Sequence, residues 1–176
     1  MEQTMESASL LESPEKLGEW AGEWFLRRRS RADDYQFAPD EAFRKDFAIS
    51  VTEVERCVTE CSVLRIAGAC IFVKDVFPDT FFLRFLASLP GQLEAFSANC
   101  PPPEDRASYL KALEKYVAYV AAEDGRAVHH LYLDRVYGNN PNWAKLAAAG
   151  IGSIADGFIK AGIEAFSVGA TQLRRL

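Results

Sequence analysis

The chain is poor in the residues that mark most small-protein chemistries. Four cysteines and two histidines among 176 residues supply neither a C-x-x-C pair nor a His pair at chelating spacing. That argues against a zinc site and against a disulfide framework. No window reaches about 18 uncharged apolar residues, the least that suggests a membrane-spanning helix; the nearest, Leu146 to Ala170, is interrupted by Asp156, Lys160 and Glu164. Met1 to Glu12 holds three Glu and no Lys or Arg, so it lacks the basic start of a secretory signal and is expected to be a flexible segment of a cytoplasmic protein. Glycine-rich phosphate loops, H-E-x-x-H, G-x-S-x-G and kinase signatures are absent. A net charge of −5 provides no domain-wide positive field for nucleic acid; the one basic cluster, Arg27 to Arg31, ends a helix, where cations complement the dipole.

What is present is a helical pattern. Ala and Leu outnumber the β-branched residues, and 49% of the chain is apolar, enough for one sizeable core. The fold expected is an all-α, single-domain bundle of six to seven helices over residues 13–176. Ser13-Pro14-Glu15 opens the first helix, which runs to about Arg29 with Leu17, Trp20, Ala21, Trp24 and Phe25 on one face. Pro39-Asp40-Glu41 starts a short second helix ending near Ala48. Ser50 and Glu53 form a capping box for a third helix, about 51–77, whose run Ile66 to Val73 is apolar all round and therefore central. Pro78-Asp79 restarts the chain into a helix bearing Phe81, Phe82, Phe85, Leu86 and Leu89, which Pro90-Gly91 should stop or kink. Pro103-Glu104-Asp105 opens an amphipathic helix that Asp124-Gly125 ends, and residues 126–137 form the next, with a strand as the lesser alternative.

Asn140-Pro141-Asn142 is expected to cap one continuous last helix, about 142–167. Along it Ala149, Ser153, Gly157, Ala161 and Ala165 recur every four residues, a small-residue stripe suited to close packing inside the bundle or against a second copy.

Arg65 falls among apolar neighbours on its helix, at about 320° on a wheel anchored at Val51. It must snorkel, pair with a buried carboxylate, or bind an anion with its fork of donors. Asp156 and Glu164 could face it, or form a solvated i, i+4 ladder with Lys160. His129 and His130 point about 100° apart, so one turns inward as a structural residue or a general base. Cys57 and Cys61 read as small buried hydrophobes. Trp20, Trp24, Phe81 and Phe85 make a candidate hot spot for a partner if they are only partly covered. Two functions follow. The first is a non-catalytic protein-binding or regulatory protein, with an inhibitor- or antitoxin-like role compatible with its negative charge, binding another protein or itself as a homodimer. The second is an anion sensor or enzyme with an interior site of Arg65, His129, His130, Asp156 and Glu164. Neither requires a cofactor or a metal.

Overall fold

The structure, a computed structural model, describes residues 13–22, 38–99 and 106–174. Among them there is no strand, and eight α-helices follow one another: α1 Pro14–Gly22, α2 Glu41–Asp46, α3 Val51–Val76, α4 Asp79–Asn99, α5 Arg106–Ala121, α6 Gly125–Tyr137, α7 Trp143–Ala148 and α8 Ile154–Arg174. A 3-10 turn, Ile151–Ser153, joins the last two. The fold is the all-α bundle expected from composition and periodicity. Met1 to Glu12 and Trp24 lie outside the described residues.

Local signals place most of the helix starts. The Ser50 hydroxyl accepts from the Glu53 N–H at 3.2 Å while the Glu53 carboxylate accepts from the Ser50 N–H at 2.7 Å, so two donors at the start of α3 are satisfied reciprocally. Asp40 and Asp124 cap α2 and α6 by the side-chain half of this arrangement alone, accepting from Phe43 N at 2.8 Å and Ala127 N at 3.0 Å. Helix α2 ends at Asp46 with Phe47 as its C-cap, and Ala48, with a φ of 52°, turns the chain so that Ile49 N reaches the Arg44 carbonyl at 2.8 Å. Two breakers shape the later helices to different degrees. Pro90 lies inside α4 without stopping it, although proline has no N–H to give the Leu86 carbonyl. The last helix is two helices, because Gly150 adopts φ 73°, a left-handed conformation that glycine enters without steric cost. Asn142 holds the N-cap position of α7 but makes no side-chain cap. Its amide donates instead to the Phe47 carbonyl at 3.0 Å, tying this loop to the end of α2.

Helix α3 is the axis of the bundle. Every residue from Cys57 to Ile71 is buried, so no polar face remains, as the unbroken apolar run requires. The most extensive pairing is that of α3 with α8, followed by α1 with α4; α5 and α6 cover other sides of α3. The α3–α8 crossing is made by glycines. A Cβ at Gly68 would collide with the Ile159 carbonyl, and one at Gly162 with the Arg65 carbonyl, so backbone rests on backbone at this point. The expected small-residue stripe takes no part in it: Ala149, Ser153, Gly157, Ala161 and Ala165 are all exposed. The inward face of α8 is Ala155, Phe158, Ile159, Gly162 and Phe166. Around Phe166 gather Trp20, Phe72 and Phe85, with centroids at 5.3, 6.2 and 6.4 Å, a tilted aromatic cluster that joins α1, α3 and α4 to α8.

Candidate functional site

Helix α4 is apolar on more than one face, and that excess builds an open apolar groove on the described surface. Phe85, Leu89 and Leu93 recur every four residues and are 0–1% exposed, which satisfies the core. Phe82, Leu83 and Leu86 lie on the neighbouring stripe, together with Pro90. Across from them α5 presents Leu110, Leu113, Val117 and Ala118. Between the two helices runs a groove of about 510 Å³, within the size range of recognition pockets. Leu83 is 63% exposed beside it. Among the described residues, Lys74 at the end of α3 and Glu114 on α5 are its charged lining residues. Both are exposed, and neither makes an ion pair with a described residue.

The wall formed by α5 is held by a buried polar network. Glu60 on α3 is 3% exposed; its Oε1 accepts from the Tyr116 hydroxyl at 2.7 Å and from Arg135 Nε at 2.6 Å. Arg135 also lies over the Tyr109 ring, 5.6 Å from its centroid. One carboxylate thus ties α3 to both α5 and α6 with charge-assisted bonds. Burial and the Glu60 carboxylate push the Tyr116 hydroxyl well above its ordinary pKa, keeping it a donor. One turn earlier on α3, Cys57 Sγ lies 3.3 Å from the Tyr132 hydroxyl. Hydrogen bonding from Cys61, opposed by burial and aided by Tyr132, lowers the Cys57 thiol to about 7. Cys70, with burial acting almost alone, is pushed up to about 12. Among the described residues no group of three or more His, Cys, Asp and Glu side chains is placed to hold a metal ion.

The residues singled out by sequence are distributed over several places. His129 and Asp156 do meet, Nε2 to Oδ2 at 2.7 Å, but at the surface, with side chains 31% and 58% exposed. His130 is exposed and lies edge-on to Trp143, 5.6 Å between centroids. Glu164 pairs with Lys160 at 3.8 Å on the outward side of α8. Arg65 is 2% exposed, its guanidinium 4.8 Å from the Phe158 centroid, where a cation above a ring face is favoured. Arg65 and the two carboxylates therefore do not share one enclosed pocket: the arginine belongs to the core, while Asp156 and Glu164 stand in the wetted stripe of α8.

Of the aromatic set, Phe85 is fully buried and is corrected to a core residue. Phe81 is half-buried and stacked on Phe77 at 4.3 Å, and half-buried Trp20 packs on Phe166. Of α4, the sequence-based set holds Phe81 and Phe85 as candidate surface and passes over Phe82, Leu83 and Leu86, which line the groove. The signal was available: Phe81, Phe82, Leu83, Phe85, Leu86 and Leu89 are too many for a single helical stripe. No helix among the described residues is long and apolar enough to cross a membrane. None of the family models, curated proteins or solved structures compared with the chain matches it.

Proposed function

We propose that the chain is a non-catalytic protein-binding module and that the groove between α4 and α5 holds its partner. The observation that carries this reading is an apolar groove left open beside a 63% exposed leucine, Leu83. A single exposed leucine means little, whereas apolar side chains lining two facing helices form the kind of contiguous surface that marks an interaction site. The Glu60 network supports the same reading, because it fixes α5 against α3 and so gives the groove a rigid wall that costs little ordering entropy when occupied. The module then acts by occupying its partner, as a regulatory or inhibitory protein does.

The test is photocrosslinking in the source cells with a benzophenone amino acid at position 83. The expected result is one dominant covalent adduct with a protein, suppressed when Ala118→Arg blocks the opposite wall. No adduct, an adduct with lipid or a small molecule alone, or an adduct indifferent to Ala118→Arg would overturn the reading. An adduct between two copies of the chain would identify the groove as a homodimer seam.

A further inference from the structure

We infer that the groove takes an amphipathic α-helix of the partner, presenting an acidic side chain to Lys74 and a basic one to Glu114. This rests on the reading of the groove as a protein-binding site. The argument starts from the groove walls, which are helices facing each other through side chains and offer no strand edge among the described residues. An extended segment laid there would bring backbone N–H and C=O groups against apolar carbon with nothing to pair them, at a cost of one to several kcal/mol each. A helix arrives with its backbone bonds already made. The dimensions agree: Phe82 to Pro90 and Leu110 to Ala118 each span eight residue steps, about 12 Å at 1.5 Å per residue. An apolar stripe at i, i+3 or i+4, and i+7 on the incoming helix covers that length.

The charges then select among helices. Lys74 and Glu114 lie on different helices of the groove, exposed and without an ion pair to a described residue. A wholly apolar occupant would strip water from both without replacing it, which disfavours a lipid chain or an all-hydrophobic helix. A helix with one acid and one base beside its apolar stripe keeps both charges compensated, and it also fixes the direction in which the helix lies.

The test selects binders to the full chain from a displayed library of helices, with an apolar i, i+3/i+4, i+7 stripe and all flanking positions randomised. Wild type is expected to enrich sequences carrying one acid and one base at a constant spacing. Lys74→Glu is expected to shift the consensus to two basic residues and to weaken the wild-type peptide at least tenfold; both charges being exposed, circular dichroism should show the variant folded. Helical binders that depend on Ala118 but ignore the charge at position 74 would overturn this inference and leave the groove reading standing. Selected sequences that are extended or proline-rich would do the same. A library yielding no binder sensitive to Ala118→Arg would overturn both.

Discussion

Breaking the Glu60–Arg135 pair from one side should cost more than removing it from both. Arg135→Met keeps an unbranched apolar stem and loses the guanidinium, both its charge and its place over the Tyr109 ring. The Glu60 carboxylate, its side chain 4% exposed, would then keep only the Tyr116 hydroxyl of its two donors. Uncompensated buried charges of this kind cost about 3–5 kcal/mol. At about 2–4 °C per kcal/mol for a chain of this size, the melting midpoint should fall by about 6–20 °C. The double variant Glu60→Gln/Arg135→Met removes both charges and leaves an amide oxygen to accept from Tyr116, so it should recover most of that loss. Urea unfolding at pH 7, followed by circular dichroism for wild type, both single variants and the double, measures the coupling. Arg135→Met costing less than about 1 kcal/mol, or a double variant no more stable than Arg135→Met, would refute the claim that this carboxylate depends on its partner. The groove makes the result relevant to function: loss of the pair should also loosen α5, so backbone amides of residues 110–118 should exchange faster in Arg135→Met than in the double variant.

Two glycine substitutions should differ in sign. Gly68→Ala gains about 1 kcal/mol of helix propensity but drives a methyl into the Ile159 carbonyl, and overpacking of about 1–3 kcal/mol should leave it less stable than wild type. Gly157→Ala on α8 meets nothing within 4 Å and should be stabilising by about 0.5–1 kcal/mol; thermal melts of the pair check both. The Cys70 thiol, raised from 9.0 to about 12 in the fold, stays protonated where the unfolded chain ionises. Its contribution is therefore intact below pH 9 and lost as pH rises toward 12. Cys70→Ala should reduce the stability lost between pH 9 and 10.5 by about 1–2 kcal/mol, measured as the difference in alkaline slope; identical slopes would refute the assignment. Asp156→Asn breaks the exposed contact with His129 and should cost under about 1 kcal/mol at low salt, shrinking toward zero in 1 M salt.

Local chemistry in the sequence determined where most helices begin. Ser50, Asp40 and Asp124 each carry an oxygen placed to satisfy an N–H three residues on, a requirement that involves no other part of the chain. The same locality marked α3 as central, since a helix apolar on every side has nowhere to lie but inside. The tertiary structure alone decided which surfaces meet. Pro90 stays within α4 while Gly150, at φ 73°, divides the last helix, so the presence of a breaker in the sequence does not tell which helices end at it. The small-residue stripe of α8 faces out, while Gly68 and Gly162, outside any such regular pattern, make the backbone-to-backbone crossing. A glycine's spacing shows where close approach is possible, and only the partner helix shows where it happens. The Glu60 network joins this carboxylate to residues more than fifty positions away, Tyr116 on α5 and Arg135 on α6, and no local pattern around Glu60 announces them. The groove is of the same kind: the sequence shows apolar residues on α4 and α5, and only the packing of the two helices leaves Phe82, Leu83, Leu86, Leu110 and Val117 lining an open groove.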